Sequence, residues 1–191
     1  FNAVFRHSKL AGLIDDTDTS ILSNVTTVTM AQYIMPTTTA VTGYTIDFSN
    51  ALDHQYDAQN NVVESTGFSI SGEVEEYYFD DRSQGNLRIY YFSAGAKTIY
   101  SNEAGTIDYE KGLITINPIH ISAVSDVDGA ASTQIRFTAD PDSNDIVPVR
   151  NQVLEIDEVN GTVLGRVDAA ATSGVGYTTT TVGGVTTTSV T

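Results

Sequence analysis

Hydrophobic positions change their spacing once along this chain. Val4, Phe5, Leu10, Leu13 and Ile14 fall near one face of a 3.6-residue repeat, with Arg6, His7 and Lys9 interleaved, which predicts a short amphipathic helix. Asp15, Asp16 and Thr17 break that pattern, and Asp18 is placed to cap a brief second turn through Ile21 and Leu22. From Val25 the period becomes two, and β-branched residues and tyrosines dominate, as on a pleated, half-buried surface. Tyr44, Ile46 and Phe48 alternate with Thr45 and Asp47. Phe68 and Ile70 alternate with serines, and Leu87, Ile89 and Tyr91 with Arg88 and Tyr90.

Between these runs stand residues that tolerate positive φ: Gln84-Gly85-Asn86, Ala94-Gly95, Glu110-Lys111-Gly112 and Asp128-Gly129. They predict hairpins, with successive strands as antiparallel neighbours, because a parallel sheet would need helical crossovers that the pattern lacks. The fold class expected is mainly β (α+β), with antiparallel hairpin-rich sheets and a short N-terminal helix. Beyond Asp140-Pro141, the run from Ile146 through Pro148 to Ile156 reads as an edge strand, since proline cannot donate to a central ladder. From Ala169 the chain drifts into Ala, Gly, Ser and Thr, with little surface to bury. This divides the chain into a helical segment 1–24, an antiparallel β domain 25–168 and a Thr/Gly-rich tail 169–191. A tail so poor in large apolar groups is expected to be ordered by a neighbouring chain.

Charge narrows the partners. Nine Lys and Arg stand against 24 Asp and Glu, a formal net charge of −15, so nucleic acid and anionic membrane would be repelled. No apolar run approaches the roughly 20 residues that span a bilayer. Cysteine is absent, which removes disulfides, thiolate nucleophiles and cysteine metal sites. Opening on Phe1 and directly into a helical pattern, the sequence is expected to be a piece of something longer.

No chemical constellation emerges from the side chains. His7, His54 and His120 lie at no metal-ligand spacing, and Asp53-His54 has no nucleophile context for a triad. Glu75-Glu76 and Asp80-Asp81 are adjacent acids, but neighbours on a strand point to opposite faces, so neither pair reads as a glycosidase dyad. Asp140-Pro141-Asp142-Ser143-Asn144-Asp145, with Asp126-Val127-Asp128-Gly129 as a lesser echo, alternates oxygen ligands as a calcium loop does. It lacks a closing glutamate and is also ordinary turn vocabulary. Tyr77, Tyr78, Tyr90, Tyr91, Tyr100 and Tyr109 could make a sugar-stacking platform, or cross-strand pairs and core flanks. The expectation is therefore no catalytic, metal or cofactor-binding residue, no cofactor and no small-molecule substrate.

Several stretches carry a resemblance: Phe5-Arg6-His7-Ser8-Lys9-Leu10 leading to Ile14-Asp15; Leu87-Arg88-Ile89-Tyr90-Tyr91; Gly105-Thr106-Ile107-Asp108-Tyr109-Glu110-Lys111-Gly112; and Asn144-Asp145-Ile146-Val147-Pro148-Val149-Arg150-Asn151-Gln152. Over roughly residues 1 to 160 the chain resembles the C-terminal region of the ring-forming baseplate wedge subunit (baseplate J-like) of T-even-like contractile-tail bacteriophages. The resemblance implies a structural virion protein of the tail baseplate, assembled in the host cytoplasm. It implies contact with other copies of itself and with neighbouring wedge proteins, and no enzyme activity. An extracellular adhesin or carbohydrate-binding β-sandwich module would share the strands, the missing constellation and the partner-seeking tail, and is the alternative.

Overall fold

The computed structural model describes residues 4–54, 61–82, 84–127, 129–147, 177–182 and 185–190. It forms two compact units, one of Phe1–Phe5 with Thr27–Asn151 and the other of Arg6–Thr26 with Gln152–Thr191. In chain order the elements are α1 (His7–Asp15), β1 (Met30–Ile34), β2 (Thr42–Asp47), β3 (Val63–Ser65), β4 (Phe68–Ile70), β5 (Glu76–Asp80) and β6 (Asn86–Ser93). They continue with β7 (Ala96–Asp108), β8 (Leu113–Ile119), β9 (Ile121–Val124), β10 (Ile135–Ala139), β11 (Tyr177–Val182) and β12 (Val185–Val190). The protein is mainly β with one short N-terminal helix, and its strand pairs are antiparallel.

In the first unit the ladder runs β1-β10-β3-β5-β6-β7-β8-β2, and β4 joins β5 to β9. The expected pairing of successive strands as antiparallel neighbours holds from β4 to β8, where each strand pairs with the next. At the β6–β7 corner Ala94 and Gly95 both have positive φ, 50° and 80°, matching the twist of a tight hairpin. Elsewhere in this unit sequential neighbours do not pair: β10 sits between β1 and β3, and β9 reaches back past β5–β8 to β4. Hydrophobic surfaces far apart in sequence choose these partners, so turn residues could not announce them.

Alternation holds where one face is wet. Ile46 and Phe48 are buried while Thr45 and Asp47 are exposed. Phe68 stacks on Phe79 at 4.6 Å between ring centroids, and Phe79 meets Phe137 at 5.4 Å, joining β4, β5 and β10 through one aromatic column. All three rings are fully buried, and each such burial stabilises by roughly 1.5–3 kcal/mol. In β6 the alternation fails: Leu87, Arg88, Ile89 and Tyr90 are all buried in succession. The face predicted to be wet is covered there.

In the second unit α1 begins at His7, later than the apolar spacing predicted. Arg6 is extended, and Phe5 exchanges backbone hydrogen bonds with Ile146 (2.9 and 3.1 Å), which takes Val4 and Phe5 off the helix. The half-buried stripe of α1 is His7, Leu10, Ala11 and Ile14, whereas Leu13 points to solvent. The following chain returns along that stripe: His7 Nε2 lies 2.7 Å from the Thr26 carbonyl, and the Asn24 amide donates to the Ala11 carbonyl and to Asp15. Asp18 caps a turn, accepting from the Ser20 N–H at 2.8 Å, and that bond holds its carboxyl below the usual range. The expected strand through Pro148 to Ile156 lies outside the described residues, apart from Ile146 and Val147. Within the tail, β11 and β12 form a two-stranded hairpin, Tyr177 opposite Val190 through Val182 opposite Val185.

Candidate functional site

The adjacent acids at the end of β5 anchor the interior. Asp80 lies directly across the ladder from Arg88, whose guanidinium grips it in a fork, Nε to Oδ1 at 3.0 Å and Nη2 to Oδ2 at 2.7 Å. The Lys97 ammonium adds a second ion pair to the same carboxylate and lies 3.9 Å from the centroid of the Tyr90 ring. The Asp80 side chain has no exposed surface, so its charge is held by these two cations. Asp81 turns elsewhere. Its Oδ1 accepts the N–H groups of Val62 and Val63 at 2.8 and 3.0 Å, and its Oδ2 accepts the Tyr109 hydroxyl. Arg88 Nη2 also donates to the Asp81 carbonyl at 3.0 Å, linking the two halves.

The arrangement is closed. Burial first, and then the hydrogen bond to Asp81, pushes the Tyr109 hydroxyl well above its ordinary range, so it remains a donor. His54 stacks on Tyr109 at 4.5 Å with the rings 12° apart. The network clamps the end of β5 to the start of β3, to β6 and to Tyr109 just after β7. Sequence reasoning weighed Asp80 and Asp81 as a glycosidase pair and missed this role. The available signal was Arg88 inside an apolar run.

The six tyrosines do not form one platform. Tyr77, Tyr91 and Tyr100 gather on one side, where Glu73 accepts from the Tyr77 and Tyr100 hydroxyls at 3.4 and 3.2 Å. Tyr78, Tyr90 and half-exposed Phe92 pack together elsewhere, and the Tyr78 hydroxyl donates to Glu76 at 2.7 Å. Tyr109 belongs to the Asp81 cluster. Cross-strand pairing accounts for two of these ring contacts, since Tyr77 opposes Tyr91 and Tyr78 opposes Tyr90 in register.

The remaining candidates are scattered. His120 Nε2 lies 3.0 Å from the Thr38 carbonyl, whereas His54 stacks on Tyr109. In the Asp140–Asp145 loop, backbone bonds tie Asp140 to Asp53 and Asp142 to Ala51, and Ser143 Oγ accepts the Asp145 N–H. Asp140 borders a shallow hollow with Thr29, Asn61 and Glu64. Partial burial, then the nearby carboxylates of Asp53 and Glu64, raises its carboxyl above the ordinary range against the opposing pull of Thr29. Among the described residues no three His, Asp or Glu side chains converge as a metal site. Asp128, in the lesser echo, lies outside the described residues.

Leu13 on α1 and Phe92 beside Tyr78 are exposed large hydrophobics, and β11 with β12 makes a two-stranded hairpin. Comparison with curated proteins and with solved structures gives no match. Residues 1–33, which span α1 and run into β1, match the family model described as baseplate structural protein gp6, C-terminal domain III, and this match supports a structural role in a phage baseplate.

Proposed function

We propose that this chain is a structural subunit of a contractile-tail baseplate wedge, acting through association with its own copies and through contacts with neighbouring wedge proteins rather than through catalysis. The observation that carries the reading is the match over residues 1–33. The net charge of −15 fits protein partners better than nucleic acid or anionic lipid. The buried network of Asp80, Asp81, Arg88 and Tyr109 spends its polar groups on rigidity, as a load-transmitting part requires. On this reading the protein assembles in the host cytoplasm and resides in the virion tail.

Mixing the purified chain with each of the other baseplate proteins of the same phage, followed by sedimentation, tests the reading. Co-migration with at least one of them is expected, and Leu13→Glu, on the exposed side of α1, is expected to weaken it. A chain that binds none of them overturns the proposal.

A further inference from the structure

The β11–β12 hairpin forms a sheet of two strands, with both outer edges unpaired among the described residues. Two strands alone are marginal in water, and three or more are needed for independent stability. Exposed edges in natural sheets ordinarily carry lysine, proline or inward-pointing charge to block pairing. Here the opposite holds. From Ala169 to Thr191 no residue is charged and none is proline, in a chain whose net charge is −15. Residues 19–46 are uncharged as well, but β1 and β2 there belong to the ten-stranded sheet, whereas β11 and β12 have no third strand among the described residues. The hairpin therefore combines low charge repulsion between copies with edges still to be paired.

Symmetry selects the edge. A two-fold axis perpendicular to an antiparallel pair sets one residue opposite itself, because directly opposed residues share a face. Centred on Thr188, β12 would oppose its own copy as Thr186 to Val190, Thr187 to Ser189 and Thr188 to Thr188, with Val185 and Thr191 continuing the series. Each of these pairs is β-branched on both sides except the one with Ser189, and Thr–Thr and Thr–Ser pairs suit opposed strand positions. On β11, centring on Thr180 would set Tyr177 against Gly183, and glycine weakens a strand. We propose that β12 pairs edge to edge, antiparallel, with β12 of a second copy of this chain, closing two hairpins into one four-stranded sheet.

This inference rests on the self-association part of the proposed function and names its contact. Because the natural sequence has no cysteine, single substitutions in the full chain report the register. Thr188→Cys, which faces itself across the axis, is expected to give a covalent dimer with a short thiol cross-linker, and Thr180→Cys on β11 is expected to give none. Thr188→Lys would oppose two lysines at the axis and is expected to weaken dimerisation by about tenfold or more in sedimentation, with an unchanged circular dichroism spectrum. A monomeric wild-type chain, an unchanged Thr188→Lys dimer, or cross-linking at position 180 in place of 188 would overturn the inference. The same variant separates the two readings. Thr188→Lys chains that no longer dimerise but still bind another baseplate protein support both. Dimers that bind no baseplate protein leave the β12 contact standing and remove the function.

Discussion

The Tyr109 hydroxyl donates to Asp81 across 28 residues of chain, joining the end of β7 to the residue that follows β5. Because Asp81 also receives the Val62 and Val63 N–H groups, one carboxylate satisfies three buried donors from two other parts of the fold. Asp81→Ala leaves all three without their acceptor, and an unsatisfied buried donor costs about 1–3 kcal/mol. Chemical denaturation is expected to show a loss of roughly 3–5 kcal/mol for Asp81→Ala and about 1–2 kcal/mol for Tyr109→Phe. The double variant should lose less than the sum, since the two share one bond.

Asp80 and Arg88 make a different prediction, because their charges compensate each other. Removing either partner strands a buried charge, so Asp80→Leu and Arg88→Met are each expected to cost about 3–5 kcal/mol. Replacing both should cost less than either alone, with Lys97 free to extend its partly exposed ammonium into water. Strict additivity in the melts would show that the pair is not coupled.

Two glycines are expected to respond to alanine with opposite signs. At Gly105 an added Cβ would stand 2.1 Å from the Thr115 carbonyl oxygen, so the β7–β8 ladder must part. Gly105→Ala should destabilise by roughly 2–4 kcal/mol. Gly12 lies within α1 with nothing near its missing Cβ, and Gly12→Ala should stabilise by about 0.5–1 kcal/mol. Thermal melts of the two variants check both signs.

Alkaline titration should expose the tyrosine clusters. Burial, chiefly, pushes Tyr77, Tyr78 and Tyr90 each up to about 12, with Glu73, Glu76 and Asp80 respectively adding to the shift. A folded-state value raised above the unfolded one, about 10, gives stability that is complete below pH 10 and is lost as pH rises toward 12. The share of tyrosinate absorbance that disappears in Tyr77→Phe, Tyr78→Phe and Tyr90→Phe variants is expected to rise late and together with loss of β-sheet signal. Tyr90→Phe should reduce the slope of stability with pH in that window. Ionisation of Tyr77, Tyr78 and Tyr90 near pH 10 in the folded protein would contradict this.

Much of this was written locally. Tyr44-Thr45-Ile46-Asp47-Phe48 alternates in sequence and in burial because β2 has one wet face, and water sorts its residues without help from distant partners. Ala94-Gly95 declares the β6–β7 hairpin because positive φ is a property of the residues themselves. The mainly antiparallel class followed from such segments, and the start of α1 was missed because Phe5 pairs with Ile146 far along the chain.

Other features had no local cause. Arg88 and Tyr90 occupy positions that alternation assigns to solvent, and they are buried because Asp80 lies opposite on β5 and Lys97 arrives from β7. The acids that looked like a candidate dyad became a clamp for the same reason: charge in a sequence does not say which cation or N–H group it will meet. The insertion of β10 between β1 and β3 and the pairing of β4 with β9 bring together strands far apart in the chain, which no local pattern specifies. Sequence alone determined the strand period, the turns, the acidic surface and the uncharged tail, which are properties of short segments in water. Only the tertiary structure decided strand order and the fate of Asp80, Asp81 and Arg88, because those depend on residues brought together from far along the chain.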